Sequence, residues 1–145
     1  MELMKLVVFK LGNEEYGLDI ADVQSIERYI PSTRLPNAKD HFVGVINLRG
    51  TVIPVVDLAK RIGLAGSPYT DRTRIVIATQ EDSEIGLVVD ETSDVINVKK
   101  ADVLPSDRIG EGADYFSGML KHEGRLIMLL SLTKLVDIKE AEAAS

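Results

Sequence analysis

The chain has no cysteine among its 145 residues, which excludes disulfide staples and thiolate metal sites. Tryptophan is absent and aromatics make up only 5%. Oligonucleotide-binding barrels hold bases on exposed aromatics set in basic grooves, and this composition offers neither. Positive charge is scarce too: 17 basic against 23 acidic residues leave a net charge of −6. Such a surface has no field to gather phosphate backbones or anionic lipid, so nucleic acid is not an expected partner. Long hydrophobic runs are also missing. The apolar run at 52–56 is five residues, against the ~20 needed to cross a bilayer. Nothing at the start has the charged, apolar and small-residue order of a signal peptide. Direct membrane insertion is not expected, and a cytoplasmic protein is.

Catalytic signatures are equally sparse. His41 and His122 lie in different halves and belong to no HExxH or HxxxH pattern. Asp57 or Asp90 can be drawn beside His41 as an acid–base pair, but no nucleophile elbow, P-loop or paired-carboxylate spacing supports it. The GEG stretch at 110–112 follows no clear strand and opens no helix, so it reads as a loop rather than a phosphate cradle. The expectation is a chain without enzymatic activity, metal or cofactor.

What is present is an ordinary globular composition, 45% apolar and 28% charged, in about one domain's length. Short apolar segments at 6–9, 16–20, 43–48, 51–56, 74–79, 84–89, 115–120 and 125–130 are set apart by Gly, Pro, Asn and Asp. That punctuation predicts a mainly β fold. Helical signals are brief. Ile20, Val23 and Ile26 follow Asp19 at roughly helical spacing, 58–62 follows the N-cap Asp57 and stops at Gly63, and 132–136 follows Ser131. The polar tail at 139–145 is expected to be flexible.

The chain also repeats itself. A shift of 74 lays 43–60 over 117–134, matching Gly44 to Gly118, Gly50 to Gly124, Ile53 to Ile127, Leu58 to Leu132 and Lys60 to Lys134. A shift of 69 lays 6–20 over 75–89, matching Gly17 to Gly86 and Leu18 to Leu87. Two half-domains of about 70 residues are implied, each too small to bury much alone. Residues kept in both halves read as scaffold: Gly50 and Gly124 at hairpin turns, Leu58 and Leu132 in the core. Asp57 becomes Ser131, one N-cap for another, and reads as structural. The hairpin tip and a proline change instead: Asn47-Leu48-Arg49 becomes Lys121-His122-Glu123, and Pro54 becomes Met128. Pro54 cannot donate to a sheet ladder, which predicts an edge or a bulge and an accessible groove there. Arg49 beside it suits a partner's carboxylate or carbonyl. A solvated turn residue or an internal salt bridge explains it as well.

The stretch GVINLRGTVIPVVDL, preceded by LGNEEYGLDIADVQSI and followed by EIGLVVDETSDVINV, resembles the CheW family of chemotaxis coupling proteins over nearly the whole chain. The resemblance implies two similar SH3-like five-stranded β-barrels packed side by side with short helices, one of them C-terminal. The first barrel is expected at about 8–75 and the second at about 1–7 with 76–138, the N-terminal strand crossing between them. It further implies a non-enzymatic adaptor joining chemoreceptor cytoplasmic hairpins to the regulatory domain of a CheA-type histidine kinase, recruited to membrane-associated receptor arrays. A CheW-like module serving a different kinase pathway is the alternative. Ile20, Val23 and Ile26 on a first short helix, with Val88 and Val95, are expected to line a groove for a receptor helix. Gly44, Arg49 and Thr73 join them by resemblance. Taken singly, each aliphatic reads rather as core, and Gly44 as a bulge repeated at Gly118. The kinase contact is expected on the second barrel, at residues the sequence does not specify.

Overall fold

The computed structural model describes residues 2–34, 41–105 and 115–135. The 110–112 loop and the 139–145 tail lie outside that range. Two strands, β1 (Leu3–Leu11) and β2 (Glu14–Asp19), form the first hairpin. Asp19 then caps a single 3-10 turn, Ile20–Asp22, by accepting from the Ala21 amide at 2.9 Å. The chain continues through β3 (Val23–Arg28), β4 (Phe42–Leu48) and β5 (Thr51–Asp57) into the short helix α1 (Leu58–Arg61). Next come β6 (Arg74–Gln80), β7 (Ser83–Val89) and β8 (Glu91–Lys99). A second 3-10 turn leads to β9 (Leu104–Pro105), β10 (Phe116–His122), β11 (Arg125–Leu130) and α2 (Leu132–Leu135). Within the described residues, the hairpins, α1 and α2 fall where the pattern predicts.

The helix expected from Ile20, Val23 and Ile26 does not form. Only 20–22 turn, and Val23 and Ile26 belong to a strand. The reason is a bulge. Val23 pairs with Ala78, Ser25 with Ile77 and Ile26 with Val76, so one extra residue sits in β3 between Val23 and Ser25. Val23 and Ile26 therefore share a face although three residues apart, which imitates helical spacing. The sequence pattern does not reveal strand β8, because its apolar residues are exposed at Val95 and buried only at Ile96 and Val98.

Strands β3-β6-β7-β5-β4 form one sheet and β8-β1-β2-β11-β10-β9 the other. Each curls into a small SH3-like barrel. Sheet membership divides the chain after Asp19 and after Val89, rather than near residues 7 and 75, because a tight turn at Gly12 keeps β1 and β2 together. The repeat is visible in the register: parallel pairing of β5 with β7 sets Val55 opposite Gly86, and that of β11 with β2 sets Leu129 opposite Gly17. These are the same two pairs under the two shifts. Pro54 is not on an edge, since β5 lies between β7 and β4. Val45, its partner on β4, exchanges its own hydrogen bonds with Thr33. The imide nitrogen of Pro54 thus faces the β7 side, where pairing covers only Val55 to Asp57. The residue is buried and opens no groove.

Strand alternation yields three cores. Ile46, Ile53, Val55, Ile75, Ile77 and Val88 fill the first barrel. Leu6, Val8, Ile96, Val98, Leu120, Ile127 and Leu129 fill the second. The third lies between the barrels and draws on both, with Phe9, Tyr16 and Leu18 meeting Val56, Val76 and Leu87.

Candidate functional site

The outer face of β3 borders the shared core. Val23 packs against that core half-buried, while Ile26 is 40% exposed and Ile20, on the turn before, is exposed as well. On the second barrel Val95 pairs with Val7 on β1, the counterpart under the shift of 69 of Ile26 pairing with Val76. Val95 is 51% exposed. Each barrel therefore leaves one aliphatic exposed at the equivalent strand position. Val88 differs, being buried inside the first barrel, where it serves as core.

Gly44 is also internal. It lies at a bulge between Phe42 and Gly44, and a Cβ there would collide with the Thr33 carbonyl oxygen. Thr73 is only 2% exposed. Its Oγ1 accepts from the Thr70 amide at 2.8 Å and its own amide donates to the Thr70 carbonyl at 3.2 Å, so it closes a turn. Gly44 has no side chain to offer a partner, and the Thr73 hydroxyl is engaged within its own turn.

Arg49 is exposed and conformationally unusual. It occupies a left-handed backbone, φ 52°, followed by Gly50 at φ 86°, the geometry of a type I′ hairpin turn. Asn47 Oδ1 accepts from the Gly50 amide at 3.0 Å and fixes the tip. The guanidinium Nη2 stands 3.4 Å from Glu27 Oε1 on β3, with the arginine side chain 71% exposed. Strands β3 and β4 are the opposite ends of their sheet, so this ion pair spans the mouth of the barrel. An exposed pair of this kind contributes less than about 1 kcal/mol, which leaves the guanidinium free to turn to a stronger acceptor.

The second barrel is closed differently. Arg125 on β11 donates from Nε to Glu15 Oε2 at 2.9 Å and from Nη2 to Asp94 Oδ1 at 2.9 Å. Hydrogen bonding from Arg125 holds the Asp94 carboxyl below the ordinary carboxylate range. The partners are 110 and 31 residues away in sequence, and no local signal announces them.

Asp57 behaves as an N-cap. Its Oδ1 accepts from the Lys60 amide at 3.1 Å and its Oδ2 from the Tyr69 hydroxyl at 3.0 Å. Burial, and then Asp57 itself, push the Tyr69 phenol upward, so it remains a proton donor to the cap. The Tyr69 ring lies 4.7 Å from that of Tyr29, just after β3, and ties the loop before β6 to that strand. The Asp57 amide donates to the His41 carbonyl at 2.8 Å, a backbone link, while both Asp57 carboxylate oxygens are taken by Lys60 and Tyr69. His122 Nε2 lies 4.0 Å from Glu123 on the other hairpin tip. Among the described residues no cluster of His, Asp and Glu is arranged to hold a metal ion, and no helix is long and apolar enough to cross a membrane. A cleft of about 370 Å³ between the sheets is lined by Met4, Asp19, Asp22, Thr79, Leu129 and Leu132 among others. None of the expected contact residues lines it.

Comparison with known proteins agrees with this architecture. Residues 5–140 match the family model of the CheW-like domain. The chain is 35% identical over 142 residues to the chemotaxis protein CheW of Bacillus subtilis, covering 97% of this chain and 91% of that one. It is likewise 35% identical to the chemotaxis protein CheW of Rhizobium meliloti, with 97% and 92% covered. Among solved structures, the scaffolding protein TtCheW of Thermoanaerobacter tengcongensis superposes with a TM-score of 0.87 at 32% identity, covering 94% of both chains.

Proposed function

This chain belongs to the CheW family of chemotaxis scaffold proteins, and on that premise we propose that it couples chemoreceptor tips to a CheA-type histidine kinase without chemistry of its own. The observation that carries the reading is the pair of exposed aliphatics, Ile26 and Val95, at equivalent strand positions of the two barrels. A receptor tip is a helical bundle, and an amphipathic helix gains most where two rigid bodies each offer an apolar anchor. Ile20, Val23, Ile26 and Val95 supply the apolar contact, and Arg49 the polar rim. Gly44, Thr73 and Val88 act through the fold beneath. The regulatory domain of the kinase docks on the second barrel, and the complex gathers at membrane-associated arrays.

Scaffolding of this kind works by population shift. Binding one kinase state better than another by ~1.4 kcal/mol changes the ratio of states tenfold. Contacts of only micromolar strength, roughly −8 kcal/mol each, hold an array when several act together.

Calorimetric titration of the chain against a purified receptor cytoplasmic hairpin and against a CheA-type regulatory domain tests the reading. Binding of both partners at once is expected, and binding of neither overturns it. Arg49→Gly refines the test. Glycine suits the left-handed turn, so the variant melts at the same temperature or slightly higher, by up to about 1 kcal/mol in stability. Receptor affinity nevertheless falls severalfold, and unchanged affinity would remove Arg49 from the site.

A further inference from the structure

The antiparallel register of β3 and β6 sets Arg28 directly opposite Arg74. Like charges in directly opposed positions repel, and a fold gains nothing from them. The chain has an excess of acid, with a net charge of −6, yet among the described residues neither guanidinium meets a carboxylate. Arg74 donates from Nη1 to the carbonyls of Asp71 and Thr73 at 2.8 and 2.9 Å, and Arg28 forms no ion pair with any described residue. Both arginines, with Tyr29, Thr70, Asp71 and Thr73, line a surface cavity of about 440 Å³.

The internal repeat supplies a control. Under the shift of 69, Arg28 and Arg74 correspond to Asn97 and Lys5, which again pair directly opposite each other on β8 and β1. The same place in the same fold is filled there by one neutral residue and one cation. Two arginines are therefore no requirement of the barrel.

Their position indicates their use. Alternate residues of a strand share a face, so Arg28 continues the face of Ile26, and Arg74 that of Val76, the partner of Ile26. An exposed aliphatic is followed directly by two unneutralised guanidinium groups. We propose that Arg28 and Arg74 form a carboxylate-binding pair that grips an acidic side chain on the helix seated against Ile26. Two planar forks bracketing one carboxylate give a directional, charge-assisted contact at the rim of an apolar one. The inference rests on the coupling reading and names the chemistry of the receptor surface it requires.

The test compares the full chain with a double variant, Arg28→Asn with Arg74→Lys, which copies the second barrel's own pair and so preserves the fold. A purified chemoreceptor cytoplasmic hairpin is titrated into each at low and at high salt. The variant is expected to fold with at most a small drop in melting temperature, from the Arg74 bonds to the Asp71 and Thr73 carbonyls, and to bind the hairpin about tenfold more weakly at low salt, with a shallower salt dependence. Neutralising the acidic residues of the hairpin one at a time is expected to find one position that weakens the parent but not the variant. Equal affinity and equal salt dependence of parent and variant overturn the carboxylate pair and leave the coupling reading standing, as does the absence of any such acidic position. Failure of the parent itself to bind the hairpin overturns both.

Discussion

Arg125 reaches two carboxylates that approach it from different strands, Glu15 from β2 and Asp94 from β8. Strand β8 is two strands away from β2 in the sheet order, so a single side chain bridges part of the barrel that backbone hydrogen bonds do not join directly. The consequence appears as pH dependence. Asp94 titrates below its ordinary range because Arg125 bonds its charged form. Its contribution to stability is therefore complete above the unfolded value near 3.9 and is lost as pH falls through the lower folded value. Asp94 is largely exposed, so the contribution is at most about 1 kcal/mol after solvent screening. Urea unfolding of Asp94→Asn is expected to show that loss at neutral pH and a flatter decline below about pH 4; an unchanged acid limb would mean the ion pair contributes nothing.

Bulges shape the elements. In β4 and in β10 the register slips between Phe42 and Gly44 and between Phe116 and Gly118. A further segment crosses directly over each slip: Thr33 bridges to Val45, and Leu104 pairs with Met119. A Cβ on Gly118 would lie 2.7 Å from the Leu104 carbonyl oxygen, and one on Gly44 would strike that of Thr33. The two glycines thus admit a crossing backbone in each barrel. Gly44→Ala is expected to cost about 2–4 kcal/mol and to lower the melting temperature by several degrees. Receptor binding measured well below the new melting point should survive. A stable Gly44→Ala protein that had lost binding would instead place Gly44 in the contact itself.

At the scale of the molecule the shared core decides behaviour. Phe9 and Tyr16 stack with centroids 6.4 Å apart, and Tyr16 stacks on Phe116 at 6.2 Å. Arg61 at the end of α1 donates to the Tyr115 hydroxyl at 2.8 Å across the seam and lies 4.8 Å over its ring. Neither barrel buries this surface alone, and small units of this size are marginal without it. Thermal unfolding is expected to be one cooperative transition, with calorimetric and van't Hoff enthalpies equal and with tyrosine and backbone signals coincident. Two resolved transitions would show barrels that stand independently.

By itself the sequence determined the hairpins, the two short helices and the duplication. Those depend on neighbours in the chain: turn glycines, the N-cap at Asp57 and alternating aliphatics act within a few residues. It also determined that Asp57 is a cap, because its counterpart Ser131 can do the same work. The family was legible for the same reason, since NLRG and PVVDL are contiguous. Tertiary structure decided what neighbours could not. A bulge in β3 put Val23 and Ile26 on one face at helical spacing, and pairing with β1 made a strand of 91–99. Burial separated Val88, Gly44 and Thr73, which lie inside the fold, from Ile20, Ile26, Val95 and Arg49, which are exposed. Arg28 and Arg74 meet only through the register of two strands 46 residues apart, and like charges carry no attraction by which a sequence pattern could reveal their pairing.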